Sequence, residues 1–136
     1  MKLSMNPIKK RNTLSEVALG RIPPDTIVKN GTVFNVFTRE FIKGQSVWIK
    51  DGMIAYVGPE RHPAEDDENR VIDAEGRVLL PGLIDGHTHI ISRTNIEEFV
   101  RYVIPSGTTT VITETMELGM IAGKEGIECL VKGLEG

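Results

Sequence analysis

The sequence predicts an α+β protein in which a small β-rich, sandwich-like domain is followed by strands alternating with helices. Three observations carry that expectation. Between residues 25 and 81, short runs of β-branched and aromatic residues are separated by the turn dipeptides Asn30-Gly31 and Asp51-Gly52, which are strong short-range hairpin signals. Beyond Pro81-Gly82 the apolar residues fall at i, i+3 and i+4 on either side of a β-branched run, the grammar of helices alternating with buried strands. The 136 residues, 40% hydrophobic and 26% charged, suit an ordinary globular chain of about one domain.

Residues 1–24 read as a helix and a linker. Thr13 and Glu16 have capping-box spacing, Leu14, Val17 and Ala18 share a face, and Gly20 stops the helix before Arg21-Ile22-Pro23-Pro24. Residues 25–81 form the expected β-domain. Residues 26–28 pair with 32–37 across Asn30-Gly31, and residues 46–50 pair with 53–57 across Asp51-Gly52. Residues 70–73 pair with 78–80 across Ala74-Glu75-Gly76, and Phe34, Phe37 and Trp48 are the candidate core. Residues 61–70 are acidic, proline-containing and aperiodic, and read as an exposed loop carrying His62.

A boundary is expected at Pro81-Gly82, leaving 82–136 as a separate unit. Residues 83–87 read as a buried strand, and 94–104 as a helix capped by Thr94 and Glu97, with Ile96, Phe99, Val100, Val103 and Ile104 on one face. Residues 108–113 read as a second buried strand, and 124–134 as a helix with the stripe Ile127, Leu130, Val131 and Leu134. The order β-α-β-α implies a parallel sheet with right-handed crossovers. Two such units cannot cover both faces of a parallel sheet. An unpaired edge and bare helix faces are therefore expected, and they invite association with another copy or another chain.

Charge and hydropathy exclude several functions. Sixteen Lys+Arg against 19 Asp+Glu leave a net charge of −3, with no basic excess to neutralise phosphates, so nucleic acid is not an expected partner. Apolar stretches such as Val78-Leu79-Leu80 and Leu83-Ile84 fall far short of the roughly 20 residues that cross a bilayer. Polar residues and Pro7 interrupt the N-terminus before an apolar segment of signal-peptide length. A cytoplasmic protein without a membrane partner is expected. Cys129, the single cysteine, cannot form an internal disulfide.

The chemistry-bearing segment is Pro81-Gly82-Leu83-Ile84-Asp85-Gly86-His87-Thr88-His89. Residues i and i+2 of a strand point to one face, so His87 and His89 can converge on one metal ion. At the C-terminal end of a strand they would stand where barrel enzymes assemble their sites. By spacing alone, two such histidines are more often ordinary surface or core residues than ligands. Glu114 and Glu117 follow the second strand and are either polar site residues or solvated carboxylates.

With its flanks, this segment resembles the first barrel strand of the amidohydrolase superfamily, whose members show a Pro-Gly-hydrophobic-Ile-Asp-x-His-x-His run. The segments Val28-Lys29-Asn30-Gly31, Lys50-Asp51-Gly52-Met53-Ile54 and Val71-Ile72-Asp73-Ala74-Glu75-Gly76 look like the small β-domain that precedes the barrel in many members. Within the superfamily the chain is similar to the microbial adenine deaminases. That similarity rests on Glu16-Val17-Ala18-Leu19-Gly20-Arg21, on Asn35-Val36-Phe37-Thr38 and on the run Phe99-Val100-Arg101-Tyr102-Val103-Ile104-Pro105-Ser106-Gly107-Thr108-Thr109-Thr110-Val111.

The resemblance implies the first βα units of an incomplete (β/α)8 barrel, a fold that takes about 250 residues as a whole. It also implies a divalent metal, manganese, zinc or iron, held partly by His87 and His89. The implied reaction is hydrolysis of a C–N bond at an sp² carbon, with ammonia or an amine leaving. The implied substrate is a small molecule, a purine base, which in the adenine deaminases is adenine. Glu117 matches the last residue of their Asp-Pro-His-Glu run and is the candidate catalytic residue; Glu114, Thr115 and Met116 occupy its other positions. Ile91 stands where those enzymes usually have Glu. These two departures leave another purine or a cyclic amide as the alternative substrate. A non-catalytic assembly partner is the alternative role. The remaining ligands come from later barrel strands in this superfamily, and two imidazoles hold a metal weakly, so the chain alone is expected to be inactive.

Overall fold

The structure is a computed structural model that describes residues 7–64, 69–91 and 94–133, with side chains from Arg11 onward. It divides into two compact units, Met1–Leu80 and Pro81–Gly136.

The first unit opens with α1 (Pro7–Ala18). Its start lies six residues before the expected one, because Pro7 sits at the first helical position, where a missing N–H costs nothing. Thr13 is consequently inside the helix and does not cap it. The stop is as expected. Gly20 has φ +75°, its amide donates to the Val17 carbonyl at 2.8 Å, and the Arg21 amide donates to Glu16 at 2.9 Å. That pair of bonds is the Schellman closure.

Five strands follow, β1 (Thr26–Asn35), β2 (Glu40–Lys50), β3 (Met53–Pro59), β4 (Arg70–Asp73) and β5 (Val78–Leu79). They form one sheet in the order β3-β2-β1-β4, with β5 also pairing with β1. The described residues thus contain a single mixed sheet in this unit and not two packed sheets, which corrects the sandwich-like expectation. Asp51-Gly52 closes the β2–β3 hairpin, with φ +50° and +70°, the signature of a type I′ turn.

Asn30-Gly31 behaves differently. It is no hairpin turn but a bulge within one continuous strand, and the β1–β2 register shifts on both sides of Gly31. Asn30 takes φ +55°. A Cβ on Gly31 would meet Leu79 Cδ1 at 2.5 Å, so any larger residue there would have to push the Leu79 side chain of β5 aside. The hairpin turns later, where Asn35 Oδ1 accepts from the amides of Phe37 and Thr38 and Arg39 takes φ +60°.

The expected pairing of β4 with β5 is also replaced. Both run parallel to β1, Thr26↔Arg70 through Lys29↔Asp73 and then Thr32↔Val78. The break between them, where Glu75 and Gly76 have positive φ, faces the β1 bulge. Asn30 O accepts from the Gly76 amide at 2.7 Å, Lys29 O accepts from the Ala74 amide at 2.9 Å, and Thr32 N donates to Arg77 O at 3.0 Å. Each irregularity satisfies the other's backbone groups, which explains how both persist.

Trp48 is fully buried and pairs across strands with Tyr56, their ring centroids 4.6 Å apart. Its Nε1 donates to Ser46 Oγ at 3.0 Å, and Ser46 Oγ donates to Val28 O at 3.1 Å. The Arg61 guanidinium lies 4.0 Å from the Tyr56 ring centroid and 4.8 Å from that of Trp48, and it donates to Ala18 O at the end of α1. Burying the indole removes a large apolar area from water, and the cation over both rings adds to it. Phe34 is half-buried against Phe41. Phe37, by contrast, is 94% exposed, because it lies in the β1–β2 turn, and it is not a core residue. His62 is exposed, as expected, while residues 65–68 of the acidic loop lie outside the described residues.

The second unit contains β6 (Leu83–Thr88), α2 (Ile96–Val103), β7 (Thr108–Thr113) and α3 (Met116–Lys132). The two strands are parallel. Their faces are not covered: Leu83, Ile84 and Ile112 are more than half exposed, so the expectation of buried strands fails within this chain. The helix cap falls on Asn95, not Thr94, since Asn95 Oδ1 accepts from the Glu98 amide at 2.8 Å. The α3 segment begins eight residues before the expected helix and is broken at Gly123, with φ +56° and ψ −145°. The core is small, with Ile90, Ile96 and Leu130 buried and Phe99, Val100, Val111 and Leu118 packed around them. Of the expected stripe, Ile127 is about one-third exposed and Val131 about half exposed, and Leu134 lies outside the described residues.

Candidate metal centre

The C-terminal ends of β6 and β7 are joined by their register. Thr88 is the partner of Thr113, Thr88 O accepts from the Glu114 amide at 3.1 Å and from Thr113 Oγ1 at 3.2 Å. The next residues along each strand, His89 and Glu114, are thereby set beside one another. On β6 itself, Asp85 Oδ1 accepts from the His87 amide at 3.1 Å, fixing the backbone where the first histidine leaves the strand.

The two imidazoles meet. His87 Nε2 and His89 Nε2 are 3.2 Å apart, with the rings nearly perpendicular at 81°. Glu114 Oε2 lies 3.4 Å from His89 Nε2, and one ligand atom from each of the three residues falls within 4.8 Å of the others. Glu117, in the first turn of α3, places Oε1 3.6 Å from His89 Nδ1. Its other oxygen, Oε2, is buried without a hydrogen-bond partner among the described residues. Ile91 is half-buried and Met116 is 59% exposed.

The donor set fits a divalent cation. Zn–N and Zn–O bonds of about 2.0–2.1 Å in a tetrahedron separate neighbouring ligand atoms by about 3.3 Å, the spacing found between His89 and each of its two neighbours. Imidazole nitrogen and carboxylate oxygen also suit manganese and iron. A buried carboxylate oxygen without a partner is costly to leave so, and a cation is one group that would satisfy it. The strand pairing, which local spacing does not reveal, sets Glu114, after Thr113, beside His89, after Thr88.

Residues 70–118 match the model of the amidohydrolase family. Over those residues the chain carries amidohydrolase-family sequence. It is 48% identical over 118 residues to an adenine deaminase of Ruegeria sp. (strain TM1040), covering 86% of this chain and 20% of that protein. An adenine deaminase of Ruegeria pomeroyi is 44% identical over 118 residues with the same coverage. Among solved structures, a putative prolidase from Bifidobacterium longum superposes with a TM-score of 0.58 at 22% identity, over 75% of this chain and 29% of that one; this likeness concerns the fold. The amidohydrolase-like chain thus spans about a fifth of the length of the curated relatives it matches. No helix among the described residues is long and apolar enough to cross a membrane.

Proposed function

We propose that this chain supplies the opening strands and two metal ligands, His87 and His89, of a metal-dependent amidohydrolase that hydrolyses the exocyclic C–N bond of a purine base, adenine first among them. The convergence of the two Nε2 atoms at 3.2 Å, at the C-terminal end of β6, carries the reading. When bound, a divalent ion activates water near neutral pH and polarises the atom under attack. In the same reading, β6-α2-β7-α3 are the first βα units of a (β/α)8 barrel, residues 25–81 are its small β-domain, and the whole enzyme works in the cytoplasm on a small molecule.

The chain's own residues have separable parts. His87 and His89 would hold the ion through their Nε2 atoms, which stand 3.2 Å apart. Glu117 faces the same mouth and is placed to accept and return a proton, the task its buried oxygen suits. Ile91 and Met116 offer no charge to the substrate where adenine deaminases usually have Glu and His, so they would shape specificity for the base by contact alone. The ligands and proton carriers of later strands are needed for turnover, and the chain by itself is inactive in this reading.

The test is made in a full-length relative. Replacing both histidines at the positions of His87 and His89 by Ala is expected to remove bound metal and ammonia release from adenine together. Undiminished metal content and turnover would overturn the assignment. Release of ammonia from another purine but not from adenine would shift the substrate while keeping the reaction.

A further inference from the structure

Resting on that reading, we infer that Glu114 is a third protein ligand, so that His87, His89 and Glu114 together hold one divalent cation without any strand beyond β7. The juxtaposition is geometric. His89 Nε2 stands 3.2 Å from His87 Nε2 and 3.4 Å from Glu114 Oε2, both close to a tetrahedral edge of about 3.3 Å. The three ligand atoms span no more than 4.8 Å, so rotation of side chains that are all partly exposed closes the third edge with little backbone change.

Two further observations favour a cation over a solvated carboxylate. Glu114 is anchored at its own backbone, its amide donating to Thr88 O, so its side chain starts from a fixed point on the strand that also carries the histidines' partner register. Glu114 and Glu117 both approach His89, and among the described residues neither is paired with a lysine or arginine. Two carboxylates around one imidazole, with Glu117 Oε2 buried and without a partner, are an electrostatic arrangement that a doubly charged ion relieves. Three protein ligands are also the number with which open zinc sites are commonly built, where two would be weak.

The experiment is metal titration of the 136-residue chain with Co²⁺ and Zn²⁺, read by visible Co²⁺ absorption and by competition with a chromophoric chelator, with far-UV circular dichroism to confirm folding. One equivalent per chain is expected. Glu114→Gln, which keeps the shape and removes the charge, is expected to weaken binding by more than the about 10- to 100-fold that loss of an outer-shell partner costs, and to change the Co²⁺ spectrum; Glu114→Asp falls between, and Glu125→Gln on α3 leaves both unchanged. If Glu114→Gln binds as tightly as the parent while the His87→Ala, His89→Ala pair does not bind, the third ligand is overturned and the histidine reading stands. If the parent chain binds no metal, the self-contained site is overturned, and the histidines are judged in the full-length relative. Binding that survives every one of these changes would overturn both.

Discussion

Asp25 accepts hydrogen bonds from Lys50 Nζ at 2.6 Å and from the Asp51 amide at 2.8 Å, pinning the β2–β3 turn to the start of β1. The Lys50 bond first, and then the Asp51 amide, hold its carboxyl below the ordinary 3.8. Asp73 is lowered in the same way, by the Glu75 amide and then by Asn30. A folded-state value below the unfolded one means that each group's stabilisation is complete above 3.8 and is lost as pH falls through the folded value. Asp25→Asn should therefore lose less stability than the parent between pH 5 and pH 2, measured by urea unfolding. The difference should be small and salt-sensitive, since the Asp25 side chain is 47% exposed; parallel pH profiles would refute the pairing. At this scale the sequence was informative where a residue's type leaves few options. Trp48 was legible as core because an indole is seldom left in water. Phe37 was not, because whether an aromatic faces core or solvent depends on where the turn falls.

The elements show which local signals are robust. Asp51-Gly52 made the expected type I′ turn because both positions require positive φ and nothing competes for them. Asn30-Gly31 carries the same signal, yet it became a bulge, since β4 and β5 offer its backbone groups partners that a free hairpin would lack. Helix ends moved for a related reason: both Thr94 and Asn95 can cap, and the one whose side chain reaches the amide three residues on is Asn95. Asn95→Ala is expected to cost the second unit about 1 kcal/mol, while Thr94→Ala costs much less. Chemical denaturation of the two variants tests this, and equal losses would return the cap to Thr94.

Across the whole chain, apolar surface is left in the open. Leu83, Ile84, Ile112, Met120 and Ile121 are all more than half exposed in the second unit, far more large apolar area than a soluble monomer usually shows. The 136-residue protein is expected to bind a hydrophobic dye strongly and to self-associate as concentration rises, by light scattering, and to release no ammonia from adenine. A monodisperse monomer without dye binding would show that these faces are covered in solution. The exposure matches the arithmetic of a parallel sheet with two strands, which needs layers on both faces, in a chain that spans a fifth of the relatives' length.

By itself the sequence determined the mixed α+β character, the alternation of parallel strands and helices after Pro81, the type I′ hairpin and the His-x-His pair, because each is written in local spacing and residue type. Tertiary structure decided the single sheet of the first unit, the conversion of Asn30-Gly31 into a bulge, and the arrival of Glu114 beside His89. Those depend on which strands pair and in what register. Register is a property of two segments distant in the chain, fixed by hydrogen bonds that neither segment encodes alone.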